Sequence, residues 1–559
     1  MTSASEVASD DHERSVAAGE PSVWLRWLTC LALALIALCV YRASLDHGFV
    51  TMDDYPYVVE NEALHGGFTE AAVRWSFATL GNSESLAPFP LTWLSFALDV
   101  ERQGLDPRGF HLTNILLHAA NGVLLYLALL AFTGAQWRSA LTAAVFALHP
   151  VHVESVAWVS ERKDVLSGLF FMLTLWGWAR FSKTGSRLAY AALLSAFILG
   201  VMAKSSLVTV PLLLLLLDLW PVRNRGGEVE RPRLASLGAT RVVVEKLPLF
   251  AVAAMAALAT YLTGASSDAL MTGNELSLAA RTANASLSYV HYLRDSIWPF
   301  ELAAFYPHPG ENLSYGWAAA SALLLVAITA VALVRFRSRP QILVGWLWFL
   351  GALVPMIGLV QAGPQARADR FLYLPQIGLC LAVFWSVADE WWQRRNVRIA
   401  AGCLAALWLA GLSLLTHRQL ETWQSGITLF EHAHSVTAHS AFSRYSLGQA
   451  YLREGRLEEA EREFRTALAI HSKWVKPMIA LGGVMVERGE GDHAARWYRK
   501  AVAARPDWLD LRVVFVDVLL DLGKARQAIP HLKKLLAAYD VADRADAHGT
   551  LGSAYLTLG

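Results

Sequence analysis

The sequence predicts an all-α protein in two parts: a polytopic membrane bundle of about eleven transmembrane helices, then an α-solenoid. Three observations carry this. Of 559 residues, 55% are hydrophobic and 17% charged, with a mean hydropathy of +0.36, whereas soluble domains carry about 25% charged residues. Apolar runs near the length that crosses a ~30 Å hydrocarbon layer recur from residue 23 to 415. After Thr416 those runs stop, charges become dense and a 34-residue period begins. Lys plus Arg is 48 against 47 for Asp plus Glu, which excludes the basic excess of a nucleic-acid binder. Cys30, Cys39, Cys380 and Cys403 all lie in apolar runs, which argues against a disulfide framework. Tryptophan, at 21 copies, fits the aromatic belts at membrane interfaces.

Residues 1–22 are polar and acidic, without the cationic start of a signal peptide. The apolar runs are 23–43, 110–132, 139–159, 165–181, 188–203, 207–222, 247–264, 315–334, 342–360, 371–387 and 399–415. Cationic clusters prefer the cytoplasm. They include Arg180, Lys183 and Arg187; Arg223, Arg225 and Arg231; Arg335, Arg337 and Arg339; and Arg394, Arg395 and Arg398. Eleven spans and a cytoplasmic N-terminus put all of them inside. Segment 284–300 has an apolar face (Leu287, Val290, Leu293, Ile297) but carries His291, Arg294 and Asp295. It is expected to lie in the outer interface or to be re-entrant, because a twelfth span would move two cationic clusters outside. The expected organisation is a cytoplasmic segment 1–22, a membrane domain 23–416 with outer loops 44–109 and 265–315, and a repeat domain 434–559 facing the periplasm or a lumen.

The repeat holds register at several positions. Leu447 and Gly448 recur as Leu481 and Gly482, and Ala460 as Ala494 and Ala528. Phe464 recurs as Tyr498 and Leu532, and Ala467 as Ala501. This is the tetratricopeptide (TPR) pattern of paired helices. The third unit has Val516 at the glycine position, and a fourth begins near Ala545. Such superhelices offer grooves for a peptide or partner, or serve as spacers or dimerisation elements.

Chemistry-bearing residues concentrate in the outer segments. Asp53 and Asp54 are adjacent carboxylates just past the first span; their repulsion and desolvation point to a role or to an acidic loop paired with nearby arginines. His149, His152 and Glu154 flank Pro150, a spacing that fits a metal site or a kink with each imidazole bonded to a carbonyl. Arg162 and Lys163 oppose the cytoplasmic preference of cations and call for an anion, either a phosphate or the neighbouring Glu161 and Asp164. Lys204, Arg367 and Arg370, the last beside Asp369, raise the same alternative between a lipid phosphate and snorkelling. Tyr306 and His308 lie in a Pro-rich aromatic loop that closes over a cavity or anchors at the interface. There is no Walker loop, dinucleotide glycine motif or nucleophile elbow.

Several strings together resemble one family. They include Asp53-Asp54, Pro90-Leu91-Thr92 and Phe110-His111-Leu112-Thr113-Asn114. Others are Leu148-His149-Pro150-Val151-His152-Val153-Glu154, Arg162-Lys163-Asp164, Ala203-Lys204, Tyr306-Pro307-His308-Pro309 and Asp369-Arg370-Phe371-Leu372-Tyr373-Leu374-Pro375. They look like bacterial members of the transmembrane-and-TPR-containing O-mannosyltransferase family, over residues 23–559. The resemblance implies a GT-C glycosyltransferase fold. It also implies a polyprenyl-phosphate sugar donor, with mannose as the sugar, and a hydroxyl acceptor on an exported protein or other exported molecule. Asp53 or Asp54 would act as base in an inverting single displacement. Arg162, Lys163, Lys204 and Arg370 would hold the donor phosphate. His149, His152, Glu154, Asp164, Tyr306, His308, Asp369 and Tyr373 would line the cavity. No cofactor is required in this scheme, a divalent metal being optional. The expected partners are the lipid-linked donor, membrane lipid and an exported acceptor recruited by the TPR tail, not nucleic acid. The location is a bacterial inner membrane with the tail in the periplasm or outside. A non-catalytic TPR scaffold and a lipid-linked-sugar transporter are the alternatives.

Overall fold

The computed structural model describes residues 23–80, 88–220, 232–266, 276–361, 363–388, 394–437, 439–538, 549 and 551–555. The polar segment 1–22, the cations Arg223, Arg225 and Arg231, and the start of a fourth repeat at Ala545 lie outside the described residues. The chain divides into two units, Met1–Ser425 and Gly426–Gly559.

Among its described residues the first unit's regular structure is helical apart from a two-stranded antiparallel ladder of Tyr306–Pro307 against Gln365–Arg367. Among the described residues, five helical stretches are long and apolar enough to cross a membrane: Val23–Asp46, Pro107–Thr133, Val159–Thr184, Tyr315–Arg335 and Arg395–Thr422. A sixth would be the pair Gln136–Leu148 and Pro150–Ala157, bent by 55°. The remaining expected runs fold as shorter apolar helices: Arg187–Ala203, Ser205–Leu217, Leu247–Thr263, Pro340–Leu353 and Pro375–Phe384. The expected apolar runs are thus all found as helices among the described residues, five of them shorter than a straight span. Two of the short helices begin at a proline, which lacks the N–H that would extend a helix backwards.

The break at Pro150 shapes the unit. Proline disfavours the helical region for the preceding residue, and His149 is extended, with φ −80° and ψ 131°. The carbonyls freed by the break and by the turns after it need donors within a hydrocarbon-like core, and side chains supply them. His152 Nδ1 takes the Phe146 carbonyl (2.7 Å), His118 Nε2 that of Ala147 (3.2 Å) and Thr416 Oγ1 that of Leu148 (2.6 Å). Asn114 Nδ2 donates to the carbonyls of Val156 and Trp158, and Asn121 Nδ2 to that of Val165. Asn114, His118 and Asn121 are spaced four and three residues apart, so they share one face of the helix Pro107–Thr133. That face holds the broken segment in place.

The helix Leu278–Ile297 is not among the membrane-length stretches. Its buried face is polar and small (Asn284, Ser288, Tyr292, Asp295), while Ile297 at its end is 77% exposed. Of the apolar stripe, Leu287, Val290 and Leu293 are partly buried, Leu293 against a hydrophobic cluster, and Ile297 alone is exposed. The inward polar face grips the chain around the second strand. Asn284 donates to the Ala366 carbonyl (3.0 Å), Tyr292 Oη to the Ala368 carbonyl (3.1 Å), and Asp295 pairs with Arg367 (2.6 Å).

In the second unit, helix pairs Ala441–Arg453 with Leu457–Ile470, Val475–Glu487 with Gly491–Ala504, and Leu509–Asp521 with Ala525–Ala538 form three TPR-like units. The glycines permit close approach. A Cβ at Gly448 would stand 2.6 Å from the Phe464 ring, and one at Gly482 would stand 2.7 Å from that of Tyr498. The third pair exchanges both partners: Val516 replaces the glycine and Leu532 the ring, and both are buried. Gly482→Val should therefore destabilise the second pair by about 1–3 kcal/mol through overpacking. Adding Tyr498→Leu should recover much of the loss. Hydrogen exchange of the Val475–Glu487 helix in the full chain checks this; equal protection in the single and double variants would refute the packing account.

Candidate active site

The two adjacent carboxylates part company. Asp54 is 1% exposed. Its Oδ1 accepts from the Ser160 backbone N–H (2.8 Å) and hydroxyl (2.5 Å), and its Oδ2 from the Val50 N–H (3.0 Å). It ties the loop after the first helix to the turn before Arg162. Burial pushes its pKa up to about 6, with Asp53 adding to the rise and the three hydrogen bonds opposing it. The Asp53 side chain is 42% exposed, and its Oδ2 lies 3.9 Å from Lys163 Nζ.

The Asp54 pKa fixes a sign. An acid group with a raised folded-state pKa lends stability that is full below its unfolded value, near 3.8, and fades as pH rises through about 6. Two units correspond to about 3 kcal/mol. Between pH 7 and pH 4 the melting temperature of the wild type should rise relative to that of Asp54→Asn. Parallel curves would contradict this.

From Lys163 a buried ion network runs inward. Lys163 Nζ is 3.1 Å from Glu161 Oε1, and the ring of Tyr57 lies under its ammonium at 5.3 Å. Glu161 Oε1 also meets Arg370 Nε (3.1 Å), and its Oε2 faces Lys204 Nζ (3.6 Å). Lys204 pairs closely with Asp164, and Arg370 with Glu154. Glu154 additionally accepts the Arg370 backbone N–H at 2.8 Å, and Asp164 the Ser155 hydroxyl at 3.1 Å. The Arg370 guanidinium stands 5.3 Å from the Trp158 ring. The structure thus gathers Asp53, Lys163, Lys204, Arg370, Glu154 and Asp164, residues up to 317 positions apart (370 minus 53). The central member, Glu161, was foreseen only as a local partner for its neighbours. Its signal in the sequence was an acid two residues before Lys163, in a turn closed on both sides by charge.

Beside this network opens a small cleft. Asp164, Arg370, Ser167, Ser206 and Thr209 give it a polar end; Phe171, Leu207, Val210, Leu213, Ala352 and Met356 give it apolar walls. Tyr373 also faces it, its hydroxyl held by His118 Nδ1 and Asn121 Nδ2 at 2.9 Å each. Gly168 makes room for that arrangement, since a Cβ there would lie 2.8 Å from Asn121 Nδ2.

The other expected site residues stand apart. Arg162 is fully buried and turns away from the cleft, bonding Ser95 (2.7 Å), Asp99 (2.7 Å), the Phe110 carbonyl (2.9 Å) and Asn114. Its assignment as a phosphate ligand is corrected: successive residues of a helix diverge by about 100°, so Lys163 reaches the network and Arg162 does not. His149 Nε2 bonds the Ser296 carbonyl and His152 Nδ1 that of Phe146, so each imidazole holds backbone. Among the described residues no three His, Cys, Asp or Glu side chains are placed to share a metal ion. Tyr306 donates to Asp369 (2.9 Å) and lies 3.6 Å under the Arg367 guanidinium. This pair, with Asp295, braces the turn that carries Arg370. Burial and neighbouring carboxylates push the Asp369 pKa up. His308 belongs to the same loop, its N–H bonded to the Pro364 carbonyl.

The architecture defines a multi-pass helical membrane protein with a charged, cleft-facing site and a TPR tail. Residues 443–472 match the tetratricopeptide repeat family model. The chain's relatives are TMTC proteins. It is 25% identical to protein O-mannosyl-transferase TMTC1 of Homo sapiens over 81% of this chain and 56% of that one. It is 23% identical to protein O-mannosyl-transferase Tmtc3 of Drosophila melanogaster over 84% and 58%. Over a shorter stretch, 34% of this chain and 28% of the other, it is 31% identical to TMTC4 of Homo sapiens. The chain thus spans little more than half the length of the relatives it matches most extensively. A solved structure, the APC/C hetero-tetramer Cut9-Hcn1, aligns over 86% of this chain and 92% of its own at 13% identity, with a TM-score of 0.23.

Proposed function

We propose that this protein is a membrane glycosyltransferase of GT-C type. It moves a sugar, mannose by analogy with the names of its relatives, from a polyprenyl-phosphate donor to a hydroxyl of an exported protein. The observation that supports this best is the placement of a solvent-reaching carboxylate, Asp53, at one end of a cation network whose other end, Arg370, lines an amphiphilic cleft. A lipid-linked sugar phosphate needs both parts: apolar walls for the tail and cations for the head.

Asp53 then takes the proton of the acceptor hydroxyl as its oxygen attacks the anomeric carbon. The bond from that carbon to the phosphate oxygen breaks, and the phosphate keeps the electron pair. Lys204, Arg370 and Lys163 offset the charge gained there. One displacement inverts the anomeric configuration. Asp54 is the hinge pin of the loop rather than the base. The TPR tail presents the acceptor. A non-catalytic scaffold has no use for an exposed carboxylate at the end of a buried cation network, and a transporter would use the cations without the base.

The test is direct. Purified full-length protein, given mannosyl polyprenyl phosphate and acceptor peptides drawn from exported proteins, should release polyprenyl phosphate and label the peptide. Donor binding without transfer to any acceptor would favour the transporter; no donor binding would leave the scaffold.

A further inference from the structure

We propose that Glu161 is an internal counter-anion that occupies the donor phosphate's place and competes with it. This rests on the donor reading above. Among the carboxylates of the network, Glu161 alone meets all three cations, at 3.1 Å from Lys163, 3.1 Å from Arg370 and 3.6 Å from Lys204. It is buried, and its Oε2 accepts no hydrogen bond among the described residues. The other two inner acids are fixed by neutral donors as well. Glu154 accepts the Arg370 backbone N–H, and Asp164 accepts the Ser155 hydroxyl. Glu161 is thus the carboxylate that no backbone N–H or hydroxyl holds among the described residues, its partners being the three cations and Asp164, and it sits on a single turn of 3-10 helix, Val159–Glu161.

Three carboxylates already neutralise three cations here. A phosphate that enters must share or replace one of them, because like charges a few ångströms apart repel strongly in a buried site. Glu161 is the one placed to yield. While the site is empty it keeps three cations from driving one another apart. When the sugar leaves, the phosphodiester becomes a monoester with a second ionisable oxygen, which the cations would hold more tightly. The returning carboxylate competes for the same cations and speeds release of that product.

The experiment measures binding of farnesyl phosphate, a short prenyl phosphate, to the purified full chain in detergent. Glu161→Gln removes the competing charge and should lower the dissociation constant about tenfold or more. Product inhibition of turnover should strengthen by a similar factor, while single-turnover transfer is less affected. Glu161→Asp, which withdraws the carboxylate by one methylene, should fall between the two. Misfolding cannot produce a gain in affinity. Equal or weaker binding in a Glu161→Gln protein that keeps the wild-type melting temperature overturns the inference, as does Glu161→Asp binding no tighter than wild type. Wild-type protein that ignores farnesyl phosphate altogether refutes the donor reading itself.

Discussion

Asp53→Asn is expected to reduce sugar transfer by about 10²–10⁴-fold, the range a positioned general base contributes, with little change in stability. The two halves of that statement have separate grounds. The amide cannot accept the hydroxyl proton, so turnover falls. The carboxylate is 42% exposed and its one ion pair among the described residues is 3.9 Å long, so its removal costs about 1 kcal/mol or less. Donor affinity should stay near that of the wild type, because Arg370 and Lys204 remain. Turnover measured alongside melting temperature and donor binding separates this from a folding defect. If Asp53→Asn turns over normally while Asp54→Asn does not, the base has been placed on the wrong carboxylate.

Arg370→Lys is expected to lower the transfer efficiency, kcat/KM, by about 10²-fold, the scale of losing one preorganised donor to a developing anion. The guanidinium divides its donors between Glu154 and Glu161 while facing the cleft. A lysine keeps the charge but has no planar fork to satisfy both carboxylates and a phosphate together. The milder variant is the informative one. Removing the charge outright would strand two buried carboxylates at a cost of about 3–5 kcal/mol. An Arg370→Lys protein with unchanged kcat/KM would remove Arg370 from the phosphate site.

Composition and periodicity made the helical class and the TPR tail legible, because both depend on local pattern. Helix length was less legible. An apolar run says nothing about where tertiary packing lets a helix stop, so 139–159 read as one span although Pro150 splits it, 342–360 yields a helix that ends at Leu353, and the helix of 371–387 begins only at Pro375. Which face of the helix Leu278–Ile297 is buried was not legible for a related reason. Its polar residues Asn284, Tyr292 and Asp295 are buried because they grip the neighbouring loop, a partner that no local pattern reveals. Among the charges, the sequence supplied the residues but not their partition. Arg162 and Lys163 are adjacent letters with unrelated partners, and Asp53 and Asp54 diverge likewise. Glu161 gains its meaning only from Lys204 and Arg370, which lie 43 and 209 positions further along (204 minus 161 and 370 minus 161).

The pairing of every inner cation with an acid has one more effect. Opposite charges interleaved within a few ångströms cancel at a distance, so the site broadcasts little field into the surroundings. Anionic metabolites in the aqueous phase are not drawn in, and the encounter rate with a lipid-borne substrate hardly responds to ionic strength. Such a substrate arrives by diffusing sideways in the plane of the bilayer, guided by its hydrocarbon portion, and meets the cations only at the last step.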